Sequence, residues 1–228
     1  DKNYLMSINS LSENGNGWIK LFGTERDDDA YSLAVNNDGS LYLSGKIRGI
    51  MDENNYIINN SFLLKLDSEG VHEWTKILSK GDQDGGQYHH AYSLSGNTES
   101  DIYIAGYKNS GDGSYASATK LNSEGIEDWS TVSTLTDSTA HSIVIDKDKF
   151  VYICGRTFQG VGKGAQEAFI TKLDSSGQII WEKLFGSKAW DKFEDIEVNE
   201  FGDIYAAGWT EIPDPNIPAP IGIGGEYP

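Results

Sequence analysis

The sequence predicts an all-β fold built from four repeated units, each with four short antiparallel strands. Three observations lead to this prediction: tryptophans recur at a nearly constant spacing, a Tyr-x-x-Gly segment follows each one, and helix signals are scarce. The spacings between Trp18, Trp74, Trp129 and Trp181 are 56, 55 and 52 residues. Repeats of this length with four strands each are typical of the blades of a β-propeller.

The strands of one unit can be followed from residue 62 to Gly106. An apolar segment at 62–66 leads into the turn DSEG, and the Trp-bearing segment 73–78 returns from it. Another apolar segment at 92–94 and a Tyr-x-x-Gly segment complete the unit. Asn, Asp, Gly and Ser bound these segments, and such residues supply the backbone conformations that tight turns require.

The repeated residues are expected to hold the units together. Packing requires one large ring in every unit, whereas a bound ligand needs one or two, so we expect each tryptophan to pack one unit against the next. Because glycine lacks a side chain, we expect the repeated glycines to permit a close approach of backbones near the centre of the fold. These glycines are Gly45, Gly106, Gly155 and Gly208.

The repeats are expected to occupy residues 1–211, followed by a Pro- and Gly-rich loop or linker at 212–228. All five prolines lie in this second segment, where their fixed φ and missing N–H disfavour regular structure. The order of the segments leaves three assemblies open. In the first, the N-terminal strands complete the last unit of a closed four-bladed ring. In the second, two chains form an eight-bladed ring, and in the third the chain is part of a larger ring.

Composition narrows the classes of partner. The chain has 35 acidic and 18 basic residues, and its formal charge of −17 repels nucleic acid and anionic lipid. No apolar run approaches the roughly 20 residues that a membrane helix needs, so we predict no membrane span. Cys154 is the only cysteine, which excludes an intrachain disulfide. The start at Asp1 rather than Met indicates a processed chain or an excised piece.

Two long segments resemble the bacterial SBBP type of β-propeller repeat. They are AFITKLDSSGQIIWEKLFG at 168–186 and FEDIEVNEFGDIYAAGWT at 193–210. The resemblance extends over residues 4–210, although the first unit has Ser7 where the later units have a lysine. It implies a large exported or surface-associated bacterial protein, an extracellular location, and no catalytic residues to carry over.

The Gly-x-x-x-Trp pattern is also similar to the tryptophan-docking motif of quinoprotein propellers. That family oxidises alcohols or sugars with the cofactor PQQ, so the similarity implies an oxidoreductase as an alternative. However, the Asp-to-Trp spacing differs by one residue, and Cys154 alone cannot form the adjacent-cysteine disulfide of many such dehydrogenases. We therefore predict that the protein has no cofactor and no catalytic residues, and we keep the enzyme as an alternative.

An acidic loop near the N-terminus is a candidate metal site, because functional residues of a propeller lie in loops where the units differ. Asp27, Asp28 and Asp29 offer carboxylates to Ca²⁺, a cation that takes six to eight oxygen ligands. The complete residue pattern of a calcium-binding loop is missing. A solvated acidic loop is therefore the alternative interpretation.

The loop at 80–93 carries Asp82, Asp84, His89 and His90. Histidine and aspartate together are candidate ligands of a transition metal, but adjacent histidines on a strand point to opposite faces. We therefore do not predict a metal site here, and we keep these four residues as candidates for binding a ligand.

Trp190, Asp191 and Trp209 lie outside the repeated Trp position. Exposed aromatic rings of this kind can stack on a sugar, and ordinary partial burial is the alternative.

The sequence thus predicts a non-enzymatic, extracellular propeller that serves as a binding or structural module. Its expected partner is a protein or a glycan at the propeller face, within a homo-oligomer or a longer chain. A carbohydrate-binding propeller is the alternative function.

Overall fold

The computed structural model describes residues 6–11, 17–23, 28–51, 57–78, 90–96, 101–110, 112–159, 166–186 and 190–211. Within these ranges the chain forms strands, turns and bends, which confirms the predicted all-β fold. No helix of the described part is long and apolar enough to cross a membrane. The Pro-rich segment 212–228 lies outside the described residues, so its prediction as a linker stays a prediction.

Three four-stranded antiparallel sheets and two hairpins account for the described strands. The first hairpin consists of β1 (Met6–Leu11) and β2 (Gly17–Phe22). The first sheet contains β3 (Asp29–Val35), β4 (Leu41–Met51), β5 (Ile57–Leu66) and β6 (His72–Ile77). The second contains β7 (His90–Gly96), β8 (Ile102–Ser110), β9 (Gly113–Leu121) and β10 (Glu127–Thr136). The third contains β11 (Ser138–Ile145), β12 (Val151–Thr157), β13 (Glu167–Leu173) and β14 (Ile179–Phe185), and the last hairpin is β15 (Asp191–Val198) with β16 (Ile204–Thr210).

Each sheet is a meander that begins two strands later than the sequence repeat. The sequence repeat starts with the strand before the tryptophan, whereas the sheet ends with the Trp-bearing strand. The two hairpins at the ends of the series form separate two-stranded sheets. The first strands of the sheets, which we call the inner strands, contact one another in the order β3, β7, β11 and β15.

The repeated tryptophans join each sheet to the next, as predicted. Trp129 on β10 covers the β13–β14 turn, and its indole N–H donates to the carbonyl of Ser175 at 3.1 Å. A Cβ on Gly177 of that turn would lie 2.6 Å from the indole, so only glycine leaves room for the ring. Its φ of +82° also favours glycine. The same arrangement places Trp18 on Gly70 and Trp74 on Gly125.

In each complete sheet, a tyrosine, a lysine and the repeated tryptophan lie opposite one another on three neighbouring strands, and we call these three residues a row. Tyr42 lies opposite Lys65, and Lys65 lies opposite Trp74, with the two ring centroids 6.0 Å apart. The rows of the other two sheets are Tyr103–Lys120–Trp129 and Tyr152–Lys172–Trp181.

The residue pairing in the first hairpin differs from that in the three complete sheets. The residue opposite Trp18 on β1 is Ser10, whereas Leu21 lies opposite Ser7. The alignment that placed Ser7 at the lysine position was therefore wrong. The Trp-bearing strands of the three complete sheets include an extra bulged residue just before the tryptophan, and β2 pairs without it.

The hydrophobic core lies between consecutive sheets. The tyrosine of each row is buried in the same core cluster as an aliphatic residue on the inner strand of the following sheet. Large apolar side chains contribute most of the stabilisation when they leave water, so these contacts fix the order of the sheets. The pairs are Tyr42 with Leu94, Tyr103 with Ile143, and Tyr152 with Ile196.

Candidate functional site

Every inner strand contains a β-bulge at the same place. The pairing of inner strands with their neighbours skips one residue in each case, so that one extra side chain is inserted. Bulges re-aim side chains and are common beside active sites, which makes these positions the candidate functional site. The inserted residues are Tyr31, Tyr92, His141 and Glu194.

The bulges depend on the glycines of the Tyr-x-x-Gly segments. Ala140, just before the bulge of β11, lies opposite Gly155, where a Cβ would lie 1.9 Å from the carbonyl oxygen of Thr139. Gly45 and Gly208 meet a carbonyl of their own inner strand at similarly short distances. The predicted close approach of backbones at these three glycines is therefore confirmed, and it is what accommodates the bulges.

Two of the inserted residues meet between the third sheet and the last hairpin. The Nδ1 atom of His141 lies 3.2 Å from a carboxylate oxygen of Glu194. The ammonium of Lys192, two residues earlier on β15, lies 2.5 Å from the other carboxylate oxygen. A neutral imidazole must carry its proton on Nδ1 to donate to this carboxylate. We call this group of three residues the inner cluster.

Burial and neighbouring charges set the protonation states of the inner cluster. Burial lowers the pKa of His141 below its ordinary value, and the positive charges of Lys192 and Arg156 act in the same direction, against the carboxylate of Glu194. Partial burial acts to raise the pKa of Glu194, but the bond to Lys192 and the nearby His141 hold that pKa below its ordinary value. At neutral pH the cluster therefore contains a neutral imidazole beside an ion pair.

Acidification is expected to destabilise the protein through His141. As the pH falls through about 6.5, histidine in the unfolded chain binds a proton that the folded His141 does not, so the free energy of unfolding decreases. Glu194 stays ionised in this range, because its lowered pKa matters only at more acidic pH. Urea unfolding at pH 7.5 and 5.5 should show a smaller loss of stability in His141→Gln than in the wild type. Equal losses in the two proteins would contradict this assignment.

Other polar residues of the inner strands bond to the next inner strand. The Ser32 hydroxyl on β3 accepts a 3.0 Å hydrogen bond from the backbone N–H of Leu94 on β7. The Ser142 hydroxyl on β11 donates at 2.8 Å to the Asp195 carboxylate on β15. With the His141–Glu194 contact, these bonds join neighbouring units along the inner strands.

The chemistry available at this site is proton exchange and hydrogen bonding. His141 and Glu194 are in contact and can share a proton, and Lys192 supplies a positive charge. The nearby Cys154 is fully buried on β12, and burial raises the pKa of its thiol to about 12. Only a thiolate is strongly nucleophilic, so Cys154 is unreactive at neutral pH.

Trp190 belongs to an exposed aromatic pair on the third sheet and the last hairpin. Its ring packs edge-on against Phe158, with centroids 6.0 Å apart, and both rings are almost half exposed. The Arg156 guanidinium lies 5.7 Å from the Phe158 ring and donates to the Gln166 amide oxygen at 2.9 Å. Apolar ring surface and fixed polar groups therefore lie side by side, and we call Phe158 and Trp190 the aromatic pair.

Trp209 has different neighbours from the aromatic pair. It stands on β16 directly opposite Lys192, whose ammonium is 5.6 Å from the ring centroid. Residues two apart on a strand share a face, so Trp209 lies on the same side of the hairpin as Tyr205. Asp191 is buried, and its carboxylate lies against Gly186, where a Cβ would come within 2.6 Å of it.

The remaining candidates lie largely outside the described residues. Asp27, Asp82, Asp84 and His89 are not described, and only the backbone of His90 is, within β7. Asp28 is buried and Asp29 begins β3. No group of three or more His, Cys, Asp or Glu residues able to hold a metal ion occurs in the described ranges. The calcium site therefore stays a prediction.

No protein-family model and no curated protein matches the chain. The resemblance to SBBP repeats and the similarity to quinoproteins therefore both stay predictions.

A short repeated pattern in the sequence marks the bulged residues, among them His141 of the inner cluster. The segments Ala-Tyr-Ser at 30–32, Ala-Tyr-Ser at 91–93 and Ala-His-Ser at 140–142 hold the bulged residue between two repeated ones. A residue that changes between fixed neighbours marks the position where the units differ. In this alignment His141 takes the place of Tyr31 and Tyr92.

Proposed function

We propose that the repeated sheets are blades of an exported β-propeller that acts as a non-enzymatic binding or structural module. The successive inner-strand contacts, the Trp-to-Gly packing between sheets and the four-stranded meander support a propeller. The resemblance to SBBP repeats supports a role outside the cell, in a surface or extracellular assembly.

One observation carries the structural part of this proposal. The most polar residues of the inner strands are used to join blades: Ser142 bonds to Asp195, and His141 contacts Glu194. These bonds connect neighbouring inner strands, so the polar groups that make them are engaged within the fold. Partner recognition is therefore assigned to the loops and to the aromatic pair, with a protein or a glycan as the partner.

Surface accessibility tests the exported role. In intact cells of the bacterium that produces the chain, added protease should degrade it, with a cytoplasmic protein as the control for lysis. Protection of the chain until the cells are lysed would contradict the extracellular assignment.

Carbohydrate binding is the second candidate function, favoured by the aromatic pair. Two adjoining exposed rings beside the Arg156 guanidinium offer a stacking surface with a hydrogen-bond donor, and the net charge of −17 favours neutral sugars. Trp190→Ala should weaken binding of a neutral oligosaccharide at least tenfold in calorimetric titrations. Phe201→Ala removes another exposed ring, from the turn at the opposite end of the hairpin, and should leave the affinity unchanged.

The same titrations distinguish the alternatives. If a neutral oligosaccharide binds equally to the wild type and to Trp190→Ala, the aromatic pair is not the site. If PQQ binds instead, and the loaded protein oxidises alcohols or sugars, the non-enzymatic proposal is wrong and the oxidoreductase alternative holds.

A further inference from the structure

The contacts between sheets form a series that is incomplete at the first and the last of the described sheets. In three successive cases, the row tyrosine of one sheet is buried at 0–2% exposure in the same core cluster as an aliphatic residue of the next inner strand. The fourth tyrosine in the series is Tyr205 on β16, and it is 51% exposed. Among the described residues, Tyr205 therefore lacks the neighbouring sheet that buries the other three row tyrosines.

The aliphatic half of the series is incomplete at the opposite end. Leu94, Ile143 and Ile196 occupy the same register position on their inner strands and are 2–7% exposed. The equivalent residue of β3 is Leu33, which pairs with Leu43 in the same way and is 47% exposed. Leu33 is thus the counterpart that the series assigns to Tyr205.

Further residues extend the two exposed surfaces. On β3, Val35 is exposed on the same face as Leu33, and we call these two residues the N-terminal open face. On β16, Trp209 lies on the same face as Tyr205, and we call these two the C-terminal open face. Each open face carries one half of an interface that the chain uses three times internally.

The strand pairing is incomplete in the same places. Among the described strands, β16 pairs only with β15, so no lysine and tryptophan lie beside Tyr205, while β1 and β2 supply Ser10 and Trp18 without a tyrosine strand. Pairing β16 with β1 would complete a four-stranded sheet and the fourth row. It would also cover the exposed backbone edge of β16, where unpaired N–H and C=O groups promote association.

We propose that a second copy of this chain occupies the C-terminal open face, with its β1–β2 hairpin on β16 and its Leu33 on Tyr205. The inference rests on the propeller proposal. Within one chain the two hairpins form separate sheets, so the structure itself does not join them. Two chains related by a two-fold axis complete both junctions at once and form eight blades, a number within the range of known propellers.

Native mass spectrometry of the full chain at micromolar concentration tests the stoichiometry. The expected mass is that of two chains, and dilution should yield a dissociation constant. Leu33→Asp places a charge in the proposed junction and should weaken the dimer at least tenfold. Ile126→Asp introduces the same charge at an exposed apolar residue of the β9–β10 turn, in the second sheet and away from both open faces, and should leave the constant unchanged.

Cross-linking tests the head-to-tail geometry with a readout other than affinity. Cys154 is fully buried, so a short bismaleimide should react with cysteines placed at the surface. Leu33→Cys and Tyr205→Cys are prepared as separate single variants. Mixed together they should form a cross-linked dimer, and neither variant alone should do so, because each junction brings residue 33 of one copy to residue 205 of the other.

The outcomes separate this inference from the propeller proposal. A two-chain mass with cross-linking confined to the mixture supports the dimer. A monomeric mass overturns it, as does intramolecular cross-linking in a chain that carries both cysteines. Intramolecular cross-linking would leave the propeller intact and place the chain's own hairpin on β16. Free thiols in a monomeric chain would count against both proposals.

Discussion

Gly155→Val is expected to abolish cooperative folding or to lower the free energy of unfolding by more than about 3 kcal/mol. The Cβ of any side chain at this position would lie 1.9 Å from the carbonyl oxygen of Thr139, and backbone atoms cannot move aside as a flexible side chain can. Relief requires the β11 bulge to shift, and the inner cluster would shift with it. Urea unfolding followed by tryptophan fluorescence measures the change.

Gly202→Ala is the matched control for this substitution. Gly202 lies in the β15–β16 turn with φ of +87°, and a Cβ there would meet no atom within 4 Å. The expected cost is the left-handed backbone conformation alone, about 1 kcal/mol. If the two substitutions destabilise the protein equally, steric contact with the bulge is not the reason for glycine at 155.

Trp129→Ala is expected to lower the free energy of unfolding by about 3 kcal/mol. The substitution removes the ring that covers Gly177 and the 3.1 Å bond to the carbonyl of Ser175, and it opens a gap beside Tyr103. Because these contacts join two sheets, the unfolding transition should also become less cooperative. Calorimetry, by comparing the measured and van't Hoff enthalpies, tests the loss of cooperativity.

Phe201→Ala provides the comparison for the loss of an aromatic ring. Phe201 is 80% exposed in the β15–β16 turn, so its removal should change the stability by no more than about 0.5 kcal/mol. If Trp129→Ala were equally mild, the repeated tryptophans would not be the contacts that hold the sheets in order.

The repeated part of the fold could be predicted from the sequence because one requirement recurs in every unit. Trp129 needs a flat surface without a side chain, and Gly177 supplies it, so both residues recur with the repeat. The same holds for Gly155, which must admit a neighbouring carbonyl. Residues that meet the same steric demand several times leave a periodic signal in a single sequence.

The candidate site could not be predicted in the same way, because its residues come from different units. His141 and Glu194 are far apart in the sequence and meet only where β11 packs on β15. The bulges that insert them depend on strand register, which the residue pattern did not specify. The exposure of Trp209 likewise reflects its place on the C-terminal open face, a consequence of where the sheets begin rather than of its local sequence.

Amide hydrogen exchange of β16 tests most directly whether the ends of the array are joined into a ring. The account predicts that amides at 204–210 exchange about as slowly as those at 151–157 in β12, a strand with a neighbour on both sides. Both segments are measured in one sample, so differences in global stability cancel. Fast exchange at alternate residues of β16, as in a bare edge strand, would contradict closure and leave the sheets as an open array.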